Sequence, residues 1–365
     1  MKFECKTAEL FSTVSTTARF SERRASLPVL GSILITAEGD RLLVRATNLE
    51  CGVEITIPAK IQSEGIVAIP ALVFAGFLGN ARGNSITALL SGELFKIQSL
   101  SASASIKTIP HEDFPLLPRV SAEKSFSIKC SDLSRVIRAV SYCASLSAVK
   151  PELQSIMFYA DAGKFFAVAT DSFRLAEKSV PLNSGGSVPQ LLVPVRSASE
   201  IMRILESQVG NVEIYYNENQ LSFQTDRIYY TGRLLDGTFP NYKQIIPKSF
   251  STESLVLLDD FGIALKSLTV FSDKFAQVSL SIDPSKKTIS LTSRNPDVGE
   301  QTSTIKTTAK GDAVTISFNS RYLSDGLQSI LGESVRLNSN GPGKPMLIKD
   351  ASDDSFLYIA MPMNR

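Results

Sequence analysis

The chain has 365 residues, a formal net charge of +2 at pH 7, one histidine, four cysteines and no tryptophan. Hydrophobic residues make up 43% and charged residues 20%, as in an ordinary globular protein, and the length predicts two or three domains that can each bury a core. A single histidine excludes most histidine-based metal sites, and the small charge argues against a protein that grips nucleic acid over its whole surface. These features favour a binding module over an enzyme.

The cysteines and the apolar stretches indicate the compartment. The four cysteines are scattered and form no C-x-x-C pair, which is typical of buried thiols in a reducing cytosol. The N-terminus lacks the continuous apolar segment of a signal peptide. The most apolar stretch, 66–79, is shorter than the about 20 residues that a membrane span needs, and Pro70 interrupts it. We therefore expect a cytoplasmic protein with no membrane segment.

Three successive units of the chain open in the same way, with a strand followed by an amphipathic helix. The windows are 3–20, 126–143 and 254–271. Ser131-Asp132 and Asp259-Asp260 are predicted as helix N-caps, because short polar side chains can accept hydrogen bonds from the free amides of a first turn.

A hairpin follows each opening, with two alternating apolar strands and a short turn that contains glycine or proline. The windows are 28–50, 152–174 and 275–297, with Gly39, Gly163 and Pro284 in the turns. Thr47, Thr170 and Thr292 fall at equivalent points, 123 and 122 residues apart.

The second half of each unit predicts a strand, a helix and another hairpin. The windows are 65–99, 190–225 and 313–348, and Pro70, Pro194 and Asn319 occupy one point in them. Three patterns in one order at one period predict three α+β domains of two helices each against antiparallel sheet. The predicted domains are 1–120, 121–248 and 249–365.

Seven short motifs along the chain are specific when taken together. They are Met1-Lys2-Phe3, Leu27-Pro28-Val29-Leu30, the run from Ala46 to Glu50, the run from Ala169 to Leu175, the run from Asp236 to Tyr242, Phe318-Asn319 with Tyr322, and Met361-Pro362-Met363. With these motifs the whole chain resembles the bacterial sliding clamps, the beta subunits of DNA polymerase III.

The resemblance implies a non-catalytic protein that needs no cofactor or metal. Two three-domain subunits would form a head-to-tail homodimer, a six-domain ring whose helices line a hole around duplex DNA. The partners implied are duplex DNA without sequence preference, the DNA polymerase III catalytic subunit, the clamp loader and other proteins that carry a clamp-binding peptide. A ring retains DNA by topology, so a weak attraction to phosphates is enough, and this agrees with the small net charge.

The resemblance also implies a cleft between the second and third domains in which the partner's peptide docks. The matching residues are Leu153, Thr170, Ser172, Phe173, Arg174, Leu175, Pro240, Gln244, Ile245, Asn319, Tyr322, Pro345, Ile359, Met361, Pro362 and Met363. An apolar floor can re-pack around different anchors, and Arg174 and Asn319 can hydrogen-bond an extended peptide. Without the resemblance, Leu153, Leu175 and Ile245 would be interpreted as core residues.

Three departures from the family pattern concern this cleft. Phe173 stands where the family often has histidine, Gln244 stands where a basic residue is common, and the chain ends in Asn364-Arg365 after Met363. We expect the cleft to be retained with an altered peptide preference.

Basic residues on or beside the predicted helices are candidate phosphate contacts. Arg24 and Lys150 match family positions, and Arg19, Arg23, Arg135, Arg138, Arg196 and Arg203 are chosen by their placement. Each could equally be a solvated surface charge. The six predicted helices with their entrances carry a net charge of +4, against +2 for the whole chain, so the bias is slight.

A rival hypothesis is an enzyme with Asp171 and Arg174 in an interdomain cleft that acts on an anionic metabolite. The triplication argues against it, because the other two copies lack the Asp-x-x-Arg pair. The segment 341–344 lacks the spacing of a phosphate-binding loop, and the acidic segment 349–355 lacks the spacing of a calcium loop and is predicted as a hairpin turn.

Overall fold

The computed structural model describes residues 1–22, 27–121, 124–147, 149–182 and 186–363. Over these ranges the chain forms six α-helices: α1 (Thr7–Thr17), α2 (Ala71–Asn80), α3 (Cys130–Val140), α4 (Val195–Leu205), α5 (Leu258–Leu268) and α6 (Ser320–Leu327). No helix within the described ranges combines the length and the apolar composition that crossing a membrane would require.

The strands follow the repeated order. In the first third they are β1 (Lys2–Lys6), β2 (Ser32–Glu38), β3 (Arg41–Thr47), β4 (Cys51–Pro58), β5 (Lys60–Ser63), β6 (Gly65–Pro70), β7 (Ser85–Ser91), β8 (Leu94–Gln98) and β9 (Ser103–Lys107). In the middle third they are β10 (Ser125–Lys129), β11 (Ser155–Asp161), β12 (Lys164–Thr170), β13 (Arg174–Pro181), β14 (Val188–Pro194), β15 (Asn211–Tyr216), β16 (Gln220–Gln224) and β17 (Ile228–Arg233).

In the last third the strands are β18 (Thr252–Leu257), β19 (Gln277–Asp283), β20 (Thr288–Asn295), β21 (Gly299–Lys306), β22 (Thr308–Gly311), β23 (Val314–Asn319), β24 (Ser334–Ser339), β25 (Met346–Asp350) and β26 (Phe356–Ala360). Short 3₁₀ helices cover Ala18–Phe20, Pro28–Gly31, Ser141–Cys143, Pro151–Gln154, Tyr242–Ile245 and Thr269–Phe271.

The chain divides into two compact units, 1–130 with 203–234 and 131–202 with 235–365. The first unit holds the sheets β5-β1-β7-β8-β9 and β10-β15-β16-β17-β4-β3-β2-β6. The second holds β14-β11-β12-β13-β26-β25-β24-β18-β22 and β21-β20-β19-β23. All named strand pairs in the described ranges are antiparallel, which together with the helices confirms the predicted α+β class.

Strand-to-helix junctions confirm one part of the repeat. Pro70, Pro194 and Asn319 each end a strand, and α2, α4 and α6 begin at the next residue. The predicted hairpin turns are also present, with Gly39 and Gly163 at positive φ, 60° and 74°. Glycine suits these positions because a Cβ disfavours the left-handed region.

The predicted N-caps are wrong. α3 begins at Cys130 and α5 at Leu258, so Ser131-Asp132 and Asp259-Asp260 lie within the first turn. Each strand runs directly into its helix. The first amide of the helix donates to the backbone carbonyl of the residue that precedes a neighbouring strand. These bonds are Thr7 N to Asn84 O (3.1 Å), Cys130 N to Gly210 O (3.0 Å) and Leu258 N to Glu333 O (2.9 Å). The carboxylates still favour the positive end of the helix dipole.

The ends of β3 and β12 confirm the equivalence of Thr47 and Thr170. The Thr47 hydroxyl donates to the Cys51 carbonyl at 3.0 Å, and the Thr170 hydroxyl donates to the Arg174 carbonyl at 2.7 Å. The third predicted equivalent is wrong, because β20 continues to Asn295 and Thr292 lies inside it, opposite Thr302. The turn therefore comes later in that copy.

Candidate functional site

The residues predicted for peptide docking all belong to the second unit. Most lie on or beside the turn between β12 and β13, the 3₁₀ helix Tyr242–Ile245, the start of α6 and the segment 361–363 after β26. Leu153 lies in the 3₁₀ helix Pro151–Gln154, Pro345 directly before β25 and Ile359 in β26. The structure brings most of them together along the pairing of β13 with β26, where Leu175 lies opposite Ile359.

The segment after β26 extends this pairing. The Met361 amide donates to the Phe173 carbonyl at 2.9 Å, and the Met363 amide donates to the Ser317 carbonyl of β23 at 2.8 Å. Pro362 therefore lies between two anchored methionines, and this short segment connects the turn to the edge of another sheet.

The turn between β12 and β13 exposes an aromatic side chain. Phe173 is 61% exposed, and Ser172 before it has a φ of 77°, a left-handed conformation that is uncommon for a residue other than glycine. The turn thus presents a large apolar side chain to solvent, as does the turn with Leu49 in the first unit, where Leu49 has a φ of 71° and is 54% exposed.

Arg174 is held by two carboxylates and an aromatic ring. Its Nε donates to Asp171 Oδ2 at 2.9 Å and its Nη1 donates to Asp325 Oδ2 at 2.5 Å, while its Cζ lies 4.5 Å from the Tyr322 ring centroid. Burial alone would lower the pKa of Arg174, but neighbouring acidic groups that include Asp325 and Asp171 raise it above its ordinary value. Arg174 is therefore a permanent cation that fastens the turn to α6.

Sequence reasoning identified Arg174 but missed its partner Asp325. The signal was present, because Asp325 follows Tyr322 by three residues and therefore shares its face of α6. Tyr142 was missed as well; its ring centroid lies 5.9 Å from the Arg174 Cζ, and its hydroxyl contacts the Ser329 hydroxyl at 3.1 Å.

Asn319 acts within the fold as the N-cap of α6. Its Oδ1 accepts from the Arg321 amide at 2.9 Å and its Nδ2 donates to the Phe275 carbonyl at 3.3 Å. Its expected hydrogen bond to a peptide stays a prediction, and the cap is a role that sequence reasoning did not assign.

Four of the predicted residues are buried, namely Leu153, Thr170, Leu175 and Ile359. The interpretation as core is therefore correct for Leu153 and Leu175, whereas Ile245 is 43% exposed. Pro345 directly precedes β25, whose first residue, Met346, lies opposite Ala360 of β26.

The linker that carries Pro240, Gln244 and Ile245 lies against a hydrophobic cluster. Pro240, Gln244 and Ile245 are exposed, whereas Phe239 and Tyr242 between and beside them are buried. The cluster consists of Met157, Tyr159, Val168, Leu175, Leu192, Phe239, Tyr242, Leu347 and Ile359. The linker and the pairing of β13 with β26 thus share one core.

The candidate phosphate contacts within the described ranges are exposed. They are Arg19, Arg135, Arg138, Lys150, Arg196 and Arg203. Arg135 forms a 3.2 Å ion pair with Asp132, which reduces its local charge. Arg23 and Arg24 lie outside the described residues.

Asp171 and Arg174, the pair of the rival enzyme hypothesis, stabilise the turn between β12 and β13. Asp171 Oδ1 accepts the Phe173 and Arg174 amides at 2.9 and 3.0 Å, and its Oδ2 accepts from the Arg174 guanidinium. Both carboxylate oxygens are therefore used to close the turn, and the hypothesis of an enzyme is not supported. The acidic segment 349–355 forms the predicted hairpin turn between β25 and β26.

A cavity of about 1020 Å³ lies in the first unit. It is lined by α1, part of β4 and the segment 203–228, with charges of both signs such as Glu9, Glu213, Arg203 and Arg227. It contains none of the predicted peptide-docking residues.

Three family models match the chain one after another. They describe the N-terminal, central and C-terminal domains of the DNA polymerase III beta subunit and match residues 1–118, 127–241 and 243–364. Among curated proteins, the beta sliding clamp of Staphylococcus epidermidis strain RP62A is 24% identical, over 100% of this chain and 99% of the relative. That of Staphylococcus aureus strain Mu50 is 23% identical with the same coverage.

Solved structures share the fold over the full length. The DNA polymerase III beta subunit of Thermotoga maritima has a TM-score of 0.95 at 24% identity and covers 100% of this chain and 99% of its own. A sliding clamp of Pseudomonas aeruginosa, solved bound to griselimycin, has a TM-score of 0.94 at 25% identity and covers 100% of both chains.

Proposed function

Because the chain belongs to the DNA polymerase III beta subunit family, we propose that two copies close head to tail into a ring around duplex DNA. The protein is a sliding clamp for DNA replication and not an enzyme. The observation that carries the proposal is the succession of three domain models of one family along a single chain. Open edge strands such as β9 and β21 support ring closure, since an exposed edge needs a partner.

The compartment and the domain boundaries belong to this proposal. Burial of all four cysteine side chains supports work in the reducing cytoplasm. We set the boundaries near residues 121 and 249, and the gap between the matched ranges 1–118 and 127–241 supports a linker at the first of them.

A loading experiment tests the ring. We expect the purified protein to have the mass of a dimer and, once loaded by its clamp loader on nicked circular DNA, to stay bound until the circle is cut. Retention after linearisation, or a monomer that is never linked to the circle, would contradict the proposal.

The DNA would be attracted weakly along the candidate cations. The residues proposed for it are Arg19, Arg23, Arg24, Arg135, Arg138, Lys150, Arg196 and Arg203. Phosphate contacts carry no sequence information, so such an interaction permits sliding. The net charge of +2 limits its strength.

The partner's peptide would dock on the surface around the Phe173 turn. Proposed for it are Leu153, Thr170, Ser172, Phe173, Arg174, Leu175, Pro240, Gln244, Ile245, Asn319, Tyr322, Pro345, Ile359, Met361, Pro362 and Met363. Exposure of Phe173 beside an anchored Met-Pro-Met segment supports this, because polarisable and aromatic side chains adapt to varied apolar anchors.

Peptide titration tests this surface. A labelled peptide with the clamp-binding segment of the cognate polymerase catalytic subunit should bind, and Phe173→Ser should weaken it about tenfold or more because an exposed apolar contact is lost. The matched control is Leu49→Ser, which removes an exposed apolar side chain from the equivalent turn of the first unit. Equal effects of the two substitutions, or no binding at all, would refute the assignment.

A further inference from the structure

A chain of three polar side chains lies beneath the linker that carries Pro240, Gln244 and Ile245. Tyr242, in the 3₁₀ helix of that linker, donates its hydroxyl to Glu177 Oε2 on β13. The Tyr242 hydroxyl also contacts the Tyr159 hydroxyl of β11 at 2.8 Å. The linker is thereby tied to two strands of the sheet below it.

The surroundings make this tie rigid. The Tyr159 ring stacks on Phe166 with centroids 4.7 Å apart, and Tyr242 packs edge-on against Phe239 at 6.4 Å. Tyr159 and Tyr242 belong to the same buried cluster as Leu175 and Ile359. A buried hydroxyl that lost its partner would carry a desolvation cost, so these bonds specify one position of the linker.

In the first unit, a glutamate at the equivalent position of the repeat also anchors a linker. Glu54 follows Thr47 by seven residues, as Glu177 follows Thr170. Arg119 of the first linker donates to Glu54 Oε1 at 2.7 Å, and its Cζ lies 3.7 Å above the Tyr229 ring. The Tyr229 hydroxyl in turn donates to the Pro118 carbonyl at 2.6 Å. Each unit thus anchors a linker on a glutamate of the strand that follows its turn, by an ion pair in the first and by a tyrosine in the second.

We propose that Tyr242, held by Glu177 and Tyr159, is a positioning residue for peptide docking, since it sets where Pro240, Gln244 and Ile245 lie relative to Leu175 and Ile359. This inference rests on the proposed peptide surface. Tyr242 itself is only 5% exposed, so we assign it no direct contact with the peptide. Its effect on a partner is exerted through the exposed residues on either side of it in the linker.

The ionisation of Glu177 bears on the same contact. Burial raises the pKa of Glu177 above its ordinary value, and the Tyr242 hydrogen bond together with Lys243 and Lys349 offsets this in part. An uncharged amide oxygen at this position can accept the same hydrogen bond. Glu177→Gln should therefore keep the linker in place, whereas Glu177→Leu should release it.

The test compares the peptide affinity of full-length variants in which the Tyr242 hydroxyl is removed or Glu177 is replaced. The probe is the same labelled polymerase peptide, titrated by fluorescence anisotropy at a temperature where thermal melts show every variant folded. Tyr242→Phe and Glu177→Leu should each weaken binding about three- to tenfold, and Glu177→Gln should restore most of the affinity. Both variants remove the bond between Tyr242 and Glu177, and Tyr242→Phe also removes the contact with Tyr159. The double variant Tyr242→Phe/Glu177→Leu should therefore lose no more affinity than Tyr242→Phe alone.

The matched control is Tyr229→Phe, which removes the linker-anchoring hydroxyl of the first unit. It should leave peptide affinity unchanged. Wild-type affinity in Tyr242→Phe, or an equal loss in Tyr229→Phe, would overturn the positioning role while leaving the peptide surface intact. Failure of the wild-type protein to bind the peptide would instead refute the proposed surface, and the positioning role with it.

Discussion

At the scale of single residues, Lys178 of the second unit is a buried cation, and its charge needs polar partners within the protein. Its Nζ donates to Asp353 Oδ2 and to Ser355 Oγ, both at 2.7 Å. An ammonium group away from water is tolerated only when such partners replace its hydration. The turn between β25 and β26 thus supplies the counterion and the hydroxyl acceptor that the Lys178 ammonium on β13 requires.

Asp353→Asn should lower the free energy of unfolding by about 1–2 kcal/mol at pH 7, because it leaves the Lys178 charge without its counterion. The effect stays below that of a fully buried pair, since Asp353 is 40% exposed. Chemical denaturation measures it. Asp354→Asn, at an exposed carboxylate next to it, is the control and should change the free energy by less than about 0.5 kcal/mol.

The pH dependence of this pair has a defined sign. Burial would raise the pKa of Asp353, but its bonds to Lys178 and Ser355 lower it from 3.8 to about 2. A carboxylate with a depressed pKa stabilises the fold above the ordinary value and loses that contribution as the pH falls through the lowered one. The difference between wild type and Asp353→Asn should therefore shrink between pH 3.8 and about 2. A difference that grew on acidification would contradict the assignment.

At the scale of elements, two helical glycines have opposite surroundings. A Cβ on Gly326 of α6 would lie 2.7 Å from Cδ1 of Tyr358, whose hydroxyl donates to the Tyr322 carbonyl. A Cβ on Gly76 of α2 would have no other atom of the described residues within 4 Å. The Tyr358 ring therefore packs where a side chain at position 326 would lie, whereas there is space for a side chain at position 76.

The same substitution should therefore have opposite signs in the two helices. Gly76→Ala should raise the free energy of unfolding by about 0.5–1 kcal/mol, because alanine is the better helix former. Gly326→Ala should lower it by about 1–3 kcal/mol, because the Tyr358 ring must move. Urea titrations of the two variants decide this. Stabilisation by Gly326→Ala would contradict the close packing at α6, and destabilisation by Gly76→Ala would contradict the open space at α2.

The local sequence pattern predicted much of the secondary structure correctly. Alternating apolar residues predicted the hairpins, and the positions aligned in the repeat, Pro70, Pro194 and Asn319, each lie directly before a helix. The N-caps failed because the acceptors for the first amides are backbone carbonyls from other parts of the chain, and those leave no trace in side-chain sequence. The prediction for Thr292 was wrong because a strand can extend by further residues without changing its alternation.

At the scale of the whole molecule, a small net charge has to be reconciled with holding DNA. A ring that is closed around a duplex needs no strong contact, because dissociation requires opening or a DNA end. The six described candidate cations are exposed and in part offset by neighbours such as Asp132. Their attraction should therefore modulate sliding without deciding retention.

Salt dependence separates these two effects. Arg196→Ser should reduce the slope of log affinity against log salt for linear duplex by about 0.9 if it removes one phosphate contact. Retention of loaded clamps on closed circles should not change. Lys164→Ser, at an exposed lysine in the β11–β12 hairpin, is the control and should leave the slope as in wild type. Escape of Arg196→Ser clamps from closed circles would show that contacts rather than topology retain the DNA.

The sequence by itself determined the triplicated unit, its alternating strands and helices, and the family, because periodicity and short motifs are local properties of a chain. Only the tertiary structure decided that Arg174 is fastened to Asp325, 151 residues away, and that Tyr242 is tied to Glu177, 65 residues away. Hydrophobic pattern specifies which face of an element is buried, but it does not specify which polar partner a buried group meets there. At the proposed peptide surface these two contacts fix the turn and the linker that carry exposed residues implied by the family resemblance.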